Sequence, residues 1–146
     1  MKQDKQVIGW REQVGLPALG VDAVNCKIDT GAKTSALHAF YVEAFETDGK
    51  RMVRFGLHPN QNDTETVVEC VAELFDVRTV SDSGGHREER YVILTPIRIG
   101  NETFDAEITL TNRDTMVFRM LLGRRAMEKR FVVDPDASYL TGEPAE

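Results

Sequence analysis

Two short stretches carry residue types that could do chemistry. Ile28-Asp29-Thr30-Gly31-Ala32 sets a carboxylate at the end of an apolar run and follows it at once with a Thr-Gly turn. Much later, Met120-Leu121-Leu122-Gly123-Arg124 is an apolar run that stops at a glycine and leads into helix-prone residues. A carboxylate at a strand end, held by a tight turn, suits a group that must meet a substrate from a rigid base. The chemistry open to it is general acid–base work. Alone, Asp29 reads equally as an Asx-type turn residue with Gly31 as the turn glycine. The second stretch shifts the reading towards an active site.

The elements that must position these stretches are strands. Val24, Cys26 and Ile28 alternate with Asn25 and Lys27, the period of a strand with one buried face, and this strand delivers Asp29. Val7 to Trp10 reads as a first strand and Gly15 to Gly20 as a loop. Phe40 to Glu46 and Met52 to Leu57 read as a hairpin around Asp48-Gly49. His58 to Asp63 reads as an exposed loop, and Val67 to Val80 as one long β-rich run. Tyr91 to Ile99 returns as a strand across the turn-like stretch Ser81 to His86, with Pro96 marking a bulge or an edge. Phe104, Ala106, Ile108 and Leu110 show the cleanest alternation. Met120 to Leu122 is a short buried strand, and Arg124 to Arg130 a helix of two turns. Phe131 to Val133 is a strand ended by a turn at Asp134-Pro135-Asp136, and Tyr139-Leu140 a last strand. Many short strands separated by turns predict an all-β barrel or sandwich.

A chain of 146 residues fits one domain, 1–146, with its core at about 7–141. With 41% hydrophobic and 29% charged residues it is globular in composition. A net charge of −6 argues against a nucleic-acid partner. Cys26 and Cys70 lie apart in apolar runs and read as buried free thiols rather than a disulfide. No apolar run has the length of a membrane span, and no secretory signal opens the sequence, so the expected location is cytoplasmic, away from membranes.

The run Ile28 to Ala32 resembles the active-site turn of retroviral-type aspartic proteases, and Leu121-Leu122-Gly123-Arg124 with its short helix is similar to the second signature of that fold. The longer stretch Lys27 to Ala39 is more specific. It resembles a bacterial retropepsin-like family once labelled an "ATP-dependent zinc protease". Arg90 to Leu94, Thr109 to Thr111, Met120 to Asp134 and Ser138 to Leu140 extend the likeness over most of the chain. The resemblance implies a mainly β, retropepsin-like acid-protease barrel with one short C-terminal helix. It implies a hydrolase acting on protein or peptide, with Asp29 catalytic. Thr30, Gly31 and Ala32 would shape its turn, while Leu121, Leu122 and Gly123 pack behind it. The tip Ser83-Gly84-Gly85 would be a flap over the substrate; it reads equally as an ordinary exposed hairpin.

In that chemistry two carboxylates share one proton, because neighbouring acids cannot both ionise cheaply. One chain supplies one such acid. Asp82-Ser83-Gly84 is a poor second, since it sits in a polar hairpin tip with no apolar strand before it. A two-fold homodimer joining two Asp29 residues is the coherent expectation, with Phe131 to Val133 and the terminal segments as interface candidates. Lys33 stands where viral enzymes carry an Asp, leaving Arg124 without its usual partner. The sequence holds no His-Glu-x-x-His motif and no Gly-x-x-x-x-Gly-Lys loop, so neither metal nor other cofactor is expected. The alternative is a catalytically weak peptide-binding or regulatory module of the same fold, linked to glutamate-tail modification of a ribosomal protein, as the family's associations imply.

Overall fold

The computed structural model describes residues 5–60, 65–81, 84–112 and 118–142. Among the described residues, eleven strands and one α-helical turn follow one another: β1 (Gln6–Leu16), β2 (Val21–Asp29), β3 (Ser35–His38), β4 (Tyr41–Thr47), β5 (Lys50–Leu57), β6 (Val68–Glu73), β7 (Asp76–Ser81), β8 (Arg87–Ile99), β9 (Glu102–Thr111), β10 (Met120–Gly123), α1 (Arg124–Met127) and β11 (Phe131–Ser138). A 3-10 turn, Pro17–Leu19, joins β1 to β2.

The larger sheet runs β11-β1-β2-β10-β3-β9-β8-β7, and β1 also meets β8 where Gly15 faces Arg98. That second pairing closes β1, β2, β10, β3, β9 and β8 into a six-stranded barrel, leaving β11 and β7 as extensions. The mainly β barrel with one short helix read from the sequence is the architecture observed. Alternation explains its core: Val24, Cys26 and Ile28 from β2, Met120 and Leu122 from β10, Ile108 and Leu110 from β9 and Ile93 and Ile97 from β8 are all buried in one cluster. β4, β5 and β6 form a separate three-stranded sheet whose Val53, Phe55, Leu57 and Cys70 join that same cluster. Gly56 lies beneath the Phe40 and Tyr41 rings, where an added Cβ would come within 2.4 Å of Tyr41.

Several sequence expectations need correction. The run 67–80 is two strands in different sheets. The chain changes sheet at Leu74-Phe75, whose backbone N–H groups donate to Arg51 and Val92 respectively. The helix is one turn rather than two, because Lys129 takes a left-handed conformation (φ 68°) and redirects the chain into β11. Asp134-Pro135-Asp136 does not end its strand. It forms an irregularity inside β11, where the register with β1 jumps between Gly9–Asp134 and Arg11–Ser138. Tyr139-Leu140 is a turn, with Tyr139 at φ 54°, not a strand. The first strand is longer than expected and absorbs Gly15 and Leu16. Pro96 causes no register shift; it lies where β8 has left β7 and not yet met β1, an edge position that needs no donor.

Candidate active site

β2 carries Asp29 as its last residue, and the chain turns over Thr30-Gly31. The Asp29 side chain is half-buried, and its Oδ1 accepts the Gly31 N–H at 3.0 Å. The Ala32 N–H returns to the Asp29 carbonyl at 3.2 Å. The first bond orients the carboxylate and the second closes the turn beneath it, with carboxylate lone pairs left for other donors. Gly31 has no positive φ. Its relevance is space, since a Cβ there would lie 3.3 Å from Asp29 Oδ1. The turn's internal bonds come from Asp29 rather than from Thr30, whose side chain is exposed.

β10 runs parallel to β2, pairing Leu121 with Lys27, Leu122 with Ile28 and Gly123 with Asp29. The two stretches singled out in the sequence therefore lie side by side, ending level with each other. Leu122 is fully buried and Leu121 partly so. Gly123 could not be another residue without a shift of backbone: a Cβ would sit 2.5 Å from the Thr34 carbonyl carbon. Its N–H donates to the Ser35 hydroxyl at 3.0 Å, and the Ser35 carbonyl accepts from the Thr109 hydroxyl at 2.9 Å. The Arg124 N–H donates to the Ala32 carbonyl at 2.8 Å, and its guanidinium Nη1 to the Gly31 carbonyl at 3.3 Å. Arg124, without the acidic partner of the viral pattern, braces the Asp29 turn through a backbone oxygen. Ser35 had no role in the sequence reading; a small polar residue opening an otherwise apolar strand was the available signal.

The β7–β8 hairpin is present, pairing Asp76–Ser81 with Arg87–Val92 in register. Asp82 and Ser83 lie outside the described residues. Gly84 and Gly85 are exposed, as are the residues up to Glu89, so the hairpin projects into solvent. Gly85 takes φ +83°, which the turn requires and side-chain-bearing residues resist. At the hairpin's base the Arg78 guanidinium bonds Asp76 at 2.8 Å and also pairs with Glu107 on β9. The first of these contacts holds the Asp76 carboxyl below its usual range.

Two other clefts flank the turn. An open groove of about 570 Å³ is lined by Thr30, Arg124, Met127, Phe131 and Val133, among others. A second, of about 410 Å³, lies behind Thr34 and Ser35 and mixes Arg78, Arg125 and Arg130 with Asp105, Glu107 and Glu128. Cys26 and Cys70 are free and buried, as expected. Burial pushes the Cys26 thiol far above its ordinary range and the Cys70 thiol up to about 11. The histidines are scattered: His38 is buried in β3, His58 stacks on Phe40 at 4.2 Å, and His86 is exposed. Among the described residues, no three His, Cys, Asp or Glu side chains gather as a metal site.

Comparison with known proteins fits this geometry. A family model described as the retropepsin-like aspartic endopeptidase RimB matches residues 7–144. The chain belongs to the RimB-like family. A Shewanella pealeana protein named "Probable alpha-L-glutamate ligase" is 42% identical over 146 residues, covering 100% of this RimB-like chain and 32% of its own length. A Desulfotalea psychrophila protein of the same name is 43% identical over 145 residues, covering 98% of this chain and 31% of its own. The chain thus spans about a third of the curated relatives it matches. A crystal structure of a Legionella pneumophila protein of unknown function superposes with a TM-score of 0.78 at 27% identity, covering 94% of this chain and 99% of that one. No helix among the described residues of this RimB-like chain is long and apolar enough to cross a membrane.

Proposed function

We propose that the chain is an aspartic-type peptide hydrolase that works as a homodimer, with one Asp29 from each copy forming the catalytic pair. The observation that carries this reading is Asp29 itself. It is a half-buried carboxylate at a strand end, bonded on one oxygen by the Gly31 N–H and backed by β10. Opposed across a two-fold axis, two such carboxylates would share a proton. The ionised one would draw a proton from water, and the protonated one would hydrogen-bond the scissile carbonyl. The groove lined by Thr30, Met127, Phe131 and Val133 lies beside the turn, and β11 is an edge strand with Val132 exposed. An open edge and an apolar groove next to half an active site fit a second copy of the chain. The β7–β8 hairpin is the element that would close over a bound peptide.

The decisive experiment combines sedimentation of the intact chain with peptide hydrolysis by the wild type and by Asp29→Asn. A dimer whose hydrolysis vanishes in the variant supports the proposal; a strict monomer, or hydrolysis indifferent to Asp29, removes it.

A second reading is favoured by one observation. The relatives named as glutamate ligases are about three times as long as this chain and include a region like it. That fits a peptide-binding or regulatory module serving glutamate-tail modification of a ribosomal protein. Lys33 beside the turn suits this reading, because a cation there favours two ionised carboxylates over a shared proton. Peptide binding by wild type and Asp29→Asn alike, with cleavage by neither, would select it.

A further inference from the structure

The small sheet β4-β5-β6 supplies none of the hydrogen bonds described around the Asp29 turn. Its inner face belongs to the core, where Val53, Phe55, Leu57 and Cys70 are buried with Val42 and Ala72 packed against them. Alternation turns the residues between these outward. The unshifted register sets them in rows across the three strands. Phe45, Met52 and Glu73 form one row, and Glu43, Arg54 and Val71 the next. Tyr41, Gly56 and Glu69 form the third. Two contacts fix these side chains on one side: the Arg54 guanidinium lies over the Phe45 ring at 4.8 Å, and its Nε meets Glu69 at 3.7 Å.

Protein contacts favour Tyr, Phe, Met and Arg at their centre and polar groups at their rim. This face follows that plan. Met52 and Arg54 come from the central strand, Tyr41 and Phe45 flank them, and all three acids lie on the edge strands β4 and β6. Val71 is 48% exposed, so the patch it shares with Phe45 and Met52 meets water, and an apolar patch with a polar rim marks an interaction surface. Charge selects the partner. Arg54, the cation of the three rows, is engaged by Glu69 and Phe45, while Glu43 and Glu73 enter no ion pair among the described residues. On a chain of net charge −6, a second copy of this face would be repelled, as would an anionic membrane or a nucleic acid. A cationic segment would be attracted.

We propose that the outer face of β4-β5-β6 docks a basic segment of a partner protein, with cationic side chains on Glu43 and Glu73 and an apolar side chain over Met52 and Val71. Side chains two residues apart in an extended segment are about 7 Å apart, the spacing of the rows. Three rows on three strands cover about 13 Å by 10 Å, the footprint of a short segment rather than of a whole domain. The face shares no residue with the Asp29 turn or its brace, so either reading of that site can fail without touching it.

The test uses the full chain carrying Asp29→Asn, so that no probe is consumed. Three fluorescein-labelled octapeptides are titrated by anisotropy, one alternating lysine with leucine, one lysine with serine and one glutamate with leucine. The lysine–leucine peptide should bind about tenfold more tightly than either of the others, and less tightly as salt rises. Adding Glu43→Lys with Glu73→Lys should weaken it about tenfold, and Val71→Ser by a smaller factor. Glu102→Lys with Asp105→Lys on β9 makes the same change in net charge away from the face and should alter binding by less than about twofold at physiological salt, where distant charges are screened. Should the charge reversal impair folding, Glu43→Gln with Glu73→Gln is expected to give an intermediate loss. Equal binding of the lysine–leucine and lysine–serine peptides, equal losses in the two charge-reversed variants, undiminished binding when Glu43 and Glu73 are replaced, or no binding at all would overturn the proposal.

Discussion

Asp29 on β2 and Glu12 on the neighbouring β1 are acids one strand apart with opposite surroundings. Glu12 points into the core and is fully buried. Its Oε2 accepts the Gly9 and Leu140 N–H groups at 2.6 and 2.9 Å, and its Oε1 accepts the Thr141 N–H at 3.1 Å and hydroxyl at 2.7 Å. Four donors satisfy it, with no cation paired to it among the described residues, and in return it ties the segment after β11 to β1. Asp29 faces outward, with one backbone donor on one oxygen. On the proposed function, the difference is that between a structural and a chemical carboxylate. The first has every lone pair claimed by its own chain, and the second is oriented but left with capacity to spare.

The sharpest way to test that contrast is to neutralise each acid in turn. Asp29→Asn should lower peptide hydrolysis by about a thousandfold, the range expected for losing an acid–base group. Its urea midpoint should shift by no more than a surface substitution gives, about 0.5 kcal/mol. A large loss of stability would place Asp29 with Glu12 as a structural residue. Glu12→Ala should do the reverse, costing about 3 kcal/mol in urea denaturation because several donors lose their acceptor. Glu12→Gln should cost less, since one oxygen still accepts.

Gly123→Ala tests the brace between the two regions. The added methyl meets the Thr34 backbone, which cannot yield as a side chain end would. A loss of about 1–3 kcal/mol is expected, together with reduced hydrolysis, because Gly123 lies level with Asp29 and its neighbour Arg124 bonds the turn at Gly31 and Ala32. Unchanged activity would show that the turn stands without β10.

The smallest effect belongs to the buried thiols. Folding raises both above their unfolded value of about 8.5. Their contribution is therefore intact below that pH and is lost as pH rises through it, towards the folded value of about 11 for Cys70. The urea midpoint should fall progressively across that alkaline window, and Cys70→Ala should flatten part of the slope. A midpoint that stays level would mean that the thiols remain accessible to water in the folded chain.

The sequence alone determined the strand character, the Asp29 turn and its second stretch. Each is a local pattern: alternation in Val24, Cys26 and Ile28, a glycine after an apolar run at Gly123, and Asp-Gly at the β4–β5 turn. The alternation that buries Cys26 also obliges Lys27 and Asp29 to share the other face. What only the tertiary structure decided depends on which distant strands meet. The parallel β2–β10 register sets Gly123 level with Asp29. The split of 67–80 between two sheets, and the continuation of β11 past Asp134, follow from partners far along the chain. Glu12 was invisible for the same reason: a lone acid in a strand looks solvent-facing until Leu140 and Thr141 arrive from the other end of the chain to bond it. Local propensity specifies elements, but hydrogen bonds and close contacts between remote residues specify where each carboxylate points and how much of it remains free.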